Sequence, residues 1–96
     1  MTLSPISKKN LRRILLKLGF IEDRSKDHVY FHFIYNGQIA ARTKISHGGE
    51  KDIDKRLLHH ILKNQIFLDD LEFEKAINEE LTREDYIRIL KNKELI

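Results

Sequence analysis

The sequence predicts an α+β fold. A helix is followed by three antiparallel strands and a second helix, with the helices on one face of the sheet and two short helices at the C-terminal end. Three observations carry this. Leu11, Ile14, Leu15 and Leu18 form an apolar stripe at helical spacing that stops at Gly19. Residues 29–35 are dense in aromatic and β-branched side chains and run into Asn36-Gly37, a strong hairpin signal. Helical stripes then return after residue 52 and continue to the end.

Composition sets the outer limits. Ninety-six residues, 41% hydrophobic and 34% charged, describe one globular domain able to bury a modest core. There is no cysteine, which excludes a disulfide framework and thiolate metal ligation. No apolar run approaches the ~20 residues of a membrane span. The first residues lack the basic-then-apolar order of a signal peptide, so a cytoplasmic location is the simplest expectation. The net charge of +3 hides an asymmetry. Residues 1–65 hold 13 Lys and Arg against 6 Asp and Glu, a balance of +7, whereas residues 66–96 hold 5 against 9, a balance of −4. A basic body suits a polyanionic partner; the alternative is a solvated surface of mixed sign.

The first helix is expected from Lys8 to Leu18, with Ser7 as its N-cap and Gly19 at positive φ just past its end. Phe20-Ile21 begins a short first strand, Val29–Tyr35 is the second, and Ile39–Ser46 returns as the third. The second helix is expected from Asp52 to Ile66, with Ile53, Leu57, Leu58, Ile61 and Leu62 on its apolar side. Asp69 or Asp70 caps a third helix with Phe73, Ala76 and Ile77 inward. Thr82 and Asp85 form a capping box for a fourth, with Tyr86, Ile89 and Leu90 on one face. The boundaries are therefore 1–66 for an α-β-β-β-α domain and 67–96 for a helical extension packed on it.

Hairpin register decides which side chains face solvent. A two-residue turn at Asn36-Gly37 pairs Tyr35 with Gln38 and, carried along the whole hairpin, mixes polar and apolar residues on both faces. A three-residue loop with a bulge at Gly37 pairs Tyr35 with Ile39. It gathers Val29, Phe31, Phe33, Ile39, Ala41, Thr43 and Ile45 on one face, and His28, Tyr30, His32, Arg42, Lys44 and Ser46 on the other. Burial favours the second arrangement, so a bulged turn is expected.

Candidate chemistry concentrates on that polar face. His28 and His32 share it, but a closed zinc site needs four ligands and no thiolate can complete one, so no metal or cofactor is expected. Nucleoside-phosphate loops, nucleophile elbows and dinucleotide fingerprints are absent from the sequence. His59 and His60 fall on or near the exposed side of the second helix. A histidine among Lys and Arg suits phosphodiester cleavage in RNA, because an imidazole exchanges protons near neutral pH and cations stabilise charge developing on the phosphate. The bland alternative is a sheet surface with two ordinary histidines.

The order of elements and several residues resemble a known family. Gly19-Phe20 after the first helix, Lys26-Asp27-His28 at the start of the second strand and Ile45-Ser46-His47-Gly48 before the second helix follow one another as the signatures of the HicA mRNA interferase toxins do. Leu57-Leu58-His59-His60-Ile61-Leu62-Lys63-Asn64-Gln65 resembles that family's second helix, so the likeness spans roughly residues 7–66. The resemblance implies a double-stranded-RNA-binding-domain fold, endoribonuclease activity on mRNA and His28 as the catalytic histidine. It also implies a HicB-type antitoxin protein as partner. The family has Gly-Ser before its histidine where this chain has Lys26-Asp27; Lys26 adds a phosphate contact, and Asp27 either orients His28 or repels the phosphate.

These readings combine into one expectation: cleavage of mRNA by His28 as general acid/base, with Lys26, Arg42 and Lys44 on the phosphate. His32, Tyr30 and His47 stand as assisting residues. Two alternatives remain open, a non-catalytic RNA-binding module of the same fold and a regulatory homodimer in which acidic C-terminal helices meet the basic body of a second copy.

Overall fold

The computed structural model describes residues 4–25, 27–46 and 52–96. Its elements are α1 (Lys8–Lys17), β1 (Ile21–Arg24), β2 (His28–Tyr35), β3 (Gln38–Ser46), α2 (Lys55–Ile61), a π-helical turn (Leu62–Ile66), α3 (Asp70–Ile77) and α4 (Arg83–Asn92). The strands form one antiparallel sheet in the order β1-β2-β3. This is the α+β class and the α-β-β-β-α order that the sequence predicts, with two more helices after it.

Helix α1 starts where the Ser7 side chain accepts a hydrogen bond from the Asn10 amide, and it buries Leu11, Ile14 and Leu15. Gly19, at φ +102°, ends it. The Phe20 amide bonds to the Leu15 carbonyl and the Gly19 amide to Leu16, which is the Schellman arrangement that left-handed glycines make possible. A second constraint acts at the same place: a Cβ on Gly19 would lie 2.8 Å from Cγ of Arg83, which reaches over from α4.

The hairpin resolves the register question differently from the expectation. Asn36 and Gly37 both take positive φ, 52° and 78°, and form a two-residue turn that pairs Tyr35 with Gln38. From Phe33↔Ala41 to His28↔Ser46 the ladder nevertheless keeps the predicted pairing, because an extra residue, Ala40, bulges out of β3 opposite Phe33 and Ile34. The bulge therefore sits inside the ladder and not at the turn. Each demand is met where it is cheapest: the Asn-Gly turn matches the strand twist, and the bulge restores the burial register. Its consequence is that Ile39 pairs with Ile34 and is 53% exposed instead of joining the apolar face.

Below the bulge the two faces separate cleanly. Val29, Phe31, Phe33, Ala41, Thr43 and Ile45 are buried, and every helix contributes to the same cluster. All helices thus cover one face of the sheet. At its β1 edge Glu22 is clasped by Arg12 of α1 at 2.6 Å and Arg24 at 2.9 Å. Partial burial works to raise the Glu22 pKa, but the hydrogen bonds and charges of the two arginines hold it below the usual carboxylate range.

The second helical region is shorter than expected. Ile53 belongs to a two-way backbone bridge with Ile6, at 3.1 and 2.7 Å, so the helix begins after Asp54, which caps the Leu57 amide. Leu57 is 49% exposed, against the predicted stripe. Beyond Ile61 the helix widens into the π turn, which lets Leu58, Ile61, Leu62 and Ile66 all reach the core. The widening also aims Gln65 at the buried Thr43 hydroxyl, which donates to its side-chain oxygen. Phe67, in the left-handed region at φ 59°, closes the turn.

Helices α3 and α4 start with full capping boxes, Asp69 with Glu72 and Thr82 with Asp85. On α3, Phe73 and Ala76 point inward, whereas Ile77 is 40% exposed and not the core residue predicted. Helix α4 sends Tyr86 to the middle of the molecule. The ring lies edge-on to Phe33 at 4.8 Å and 5.5 Å from Phe20, and its hydroxyl donates to the Ile66 carbonyl at 2.8 Å. Residues 67–96 thereby share the core of the preceding α-β-β-β-α unit.

A candidate nucleic-acid interface on the open sheet face

The face of the sheet turned away from the helices is built by strand alternation. Because Val29, Phe31 and Phe33 point inward, His28, Tyr30 and His32 must point outward, where each is half-buried. Across the ladder they meet Ser46, Lys44 and Arg42 in turn. On the other side Tyr30 is paired with Asp23 and His32 with Ile21. Tyr30 is therefore the centre of the row, with a cation on its β3 side and a carboxylate on its β1 side.

The rings along β2 are close. Tyr30 and His32 have centroids 6.4 Å apart and planes inclined by only 26°, while His28 and Tyr30 stand at 6.1 Å and 51°. The Arg42 guanidinium lies 5.9 Å from the Tyr30 centroid, a cation–π contact. Charge is thus graded across the sheet. Arg42 and Lys44 put two cations on the β3 side of the row, and Asp23 puts a carboxylate on its β1 side.

The tip of the β1–β2 hairpin holds His28 by its backbone. The Ser25 amide and hydroxyl both donate to the His28 carbonyl, at 2.9 and 2.8 Å, and the His28 amide donates back to Ser25 Oγ at 3.3 Å. Asp27 beside it is exposed. From α1, Lys8 Nζ donates to Ser46 Oγ at 3.0 Å, which brings another cation to the residue directly across from His28.

Of the sequence-derived candidates, the structure gathers His28, Tyr30, His32, Arg42 and Lys44 on one surface. Lys26 and His47 lie outside the described residues. Sequence reasoning missed Lys8, whose approach to Ser46 joins elements 38 positions apart. It missed Asp23, although the first-strand pairing alone would have found it. It also missed an apolar end of the same face, where Ile21, 57% exposed, and Ile39 flank Ile34 and His32.

Elsewhere the chemistry is sparse. His59 and His60 are exposed on α2, with Nδ1 of His60 3.0 Å from the Asn64 side-chain amide. Among the described residues no group of three or more His, Cys, Asp or Glu is placed to hold a metal ion. A hollow of about 590 Å³ between the π turn, the start of α3 and the C-terminal residues is lined by Leu62, Phe67, Leu68, Leu71 and Leu95 and by His59, Lys63, Asp69, Asp70 and Lys93, and lies apart from the open sheet face. No described helix is long and apolar enough to cross a membrane.

Comparison of the chain with protein-family models, curated proteins and solved structures finds no match. The surface itself offers three capabilities: proton exchange by imidazole, flat stacking by a ring row, and attraction of anions along β3.

Proposed function

We propose that the chain is an RNA-binding protein that engages its ligand with the open face of the sheet. More particularly, we read it as a HicA-like mRNA interferase, a metal-independent endoribonuclease of a toxin–antitoxin pair acting in the cytoplasm. The observation that supports this best is the position of His28, on the same face as Tyr30, His32, Arg42 and Lys44, with its backbone fixed at a hairpin tip.

In the reaction, the ribose 2′-oxygen attacks the adjacent phosphorus as its proton passes to a base. The P–O5′ bond breaks, the leaving 5′-oxygen takes a proton, and a 2′,3′-cyclic phosphate remains. His28 acts as the general acid/base for one of these transfers, with His32 or Tyr30 assisting. Arg42 and Lys44 hold the phosphate and offset the charge that builds on its oxygens. Lys26 and His47 join this set in the proposal through their sequence positions. A HicB-type antitoxin protein covering the face would meet Ile21 and Ile39 at its apolar end.

The test is incubation of purified wild type and His28→Ala with a long mRNA. The expected result is fragments with 2′,3′-cyclic phosphate ends from wild type alone, together with growth arrest that the variant fails to cause. Equal cleavage by His28→Ala removes that residue from the mechanism. A second reading, binding without cleavage, is favoured by the ring row and flanking cations, which need no chemistry to hold RNA. It predicts salt-sensitive binding and intact RNA.

A further inference from the structure

Taking the open face as the RNA-binding surface, we infer that the gap between the Tyr30 and His32 rings is a slot for one unpaired base, so that the substrate is single-stranded RNA.

The argument begins with strand geometry. A β-strand advances ~3.3 Å per residue, so rings on alternate residues stand roughly two base thicknesses apart when they lie parallel, given a stacking rise of ~3.4 Å. The Tyr30 and His32 rings meet this condition, with centroids 6.4 Å apart and planes within 26°. A planar base between them needs a face-to-face spacing of twice the ~3.4 Å stacking rise, so the rings must spread and level somewhat to admit it. The His28 and Tyr30 planes are splayed by 51° and form no such slot. Both slot residues are half-buried.

The surroundings fit an unpaired nucleotide. Lys44 faces Tyr30 across the ladder and Arg42 faces His32, with its guanidinium 5.9 Å from the Tyr30 centroid, so an entering base takes the place of that guanidinium and leaves it free to meet the phosphate. Asp23 opposite Tyr30 disfavours a phosphate on the β1 side. The sugar–phosphate backbone therefore follows β3 while the base turns inward over β2. A base in a duplex already has neighbours on both faces and cannot enter such a slot, whereas splayed single-stranded bases stack readily on aromatic rings. The near wall of the slot, Tyr30, is two residues along β2 from His28, with ring centroids 6.1 Å apart, so the proposed acid/base stands next in the same row.

The experiment uses the full chain carrying His28→Ala, so that RNA survives, and a short single-stranded RNA containing 2-aminopurine. Binding is followed by anisotropy and by quenching of the 2-aminopurine. Expected are quenching on binding, tighter binding of the single strand than of its duplex, and a loss of about tenfold or more with Tyr30→Leu. Tyr30→Phe and His32→Phe keep a flat ring and should bind within about threefold of the parent. Thermal unfolding of each variant separates ring loss from unfolding. Equal affinity for single strand and duplex, or Tyr30→Leu binding as tightly as the parent, overturns the slot while leaving cleavage by His28 intact. If wild type binds single strands through Tyr30 yet cuts nothing, the slot stands and the ribonuclease reading falls.

Discussion

Tyr86 is the largest side chain that folding removes fully from water, and its hydroxyl donates to the Ile66 carbonyl at 2.8 Å. Tyr86→Phe keeps the ring and its edge-on contact with Phe33 but strips a donor from a buried carbonyl. Such an orphaned acceptor costs about 1–3 kcal/mol, and the hydroxyl no longer needs desolvating, so a net loss of about 1–2 kcal/mol is expected at pH 7. The cost should depend on pH in a defined direction. Burial pushes the Tyr86 phenol well above its ordinary pKa. Stability carried by the protonated phenol is therefore complete below the unfolded value of about 10 and falls as pH rises above it, because only the unfolded chain releases the proton. At pH 11 that release favours unfolding of the wild type by about 1.4 kcal/mol, and the phenylalanine variant has no such proton. The gap between the two proteins should thus shrink by that amount and approach zero. Urea unfolding of both at pH 7 and pH 11 measures it; lysine titration is common to both chains and cancels in the difference. A gap of unchanged size at pH 11 would refute the account of a buried, neutral, donating phenol.

Three further outcomes follow from local geometry. Gly19→Ala forces a side chain into the left-handed region and against Arg83, and should cost about 1–2 kcal/mol for the backbone alone; adding Arg83→Ala should recover only part of the loss in urea midpoint. Thr43→Val leaves the Gln65 side-chain oxygen without its donor at the π turn and should lower stability by about 1–2 kcal/mol, whereas Thr43→Ser should retain most of it. Glu94 holds φ 58° where the chain turns back after α4, with the Leu95 amide bonded to the Leu90 carbonyl. Glu94→Gly should therefore raise stability by about 1 kcal/mol, visible as a higher thermal midpoint; a lower one would contradict the strain assigned to this residue.

Much of the architecture was legible because its signals are local. The Ser7 cap, the Gly19 stop, the Asp69 and Thr82 caps and the inward alternation of Val29, Phe31 and Phe33 each depend on a few neighbouring residues. The gathering of His28, Tyr30, His32, Arg42 and Lys44 on one face followed from the same alternation once burial had fixed the ladder. Where signals competed, the reading failed in detail. The Asn36-Gly37 turn and the buried face required different registers, and only the folded hairpin shows that a bulge at Ala40 reconciles them. The same kind of competition placed Ile53 in a bridge to Ile6 and left Leu57 and Ile77 facing water, since a helical stripe does not reveal how much of it the neighbouring elements will cover.

Periodicity and capping are written within one or two turns of chain, and they are enough to give the α+β class, the order of elements and a polar strand face carrying histidines. Which side chains come together from afar is visible in the packed fold alone. Lys8 reaches Ser46 opposite His28, Tyr86 enters the core between Phe20 and Phe33, and Ile39 opens onto the face beside His32. Such encounters depend on how whole elements pack, and no short stretch of sequence encodes that. The ring spacing of Tyr30 and His32 belongs to both levels: alternation puts the two rings on one face, and the packed sheet holds them nearly parallel.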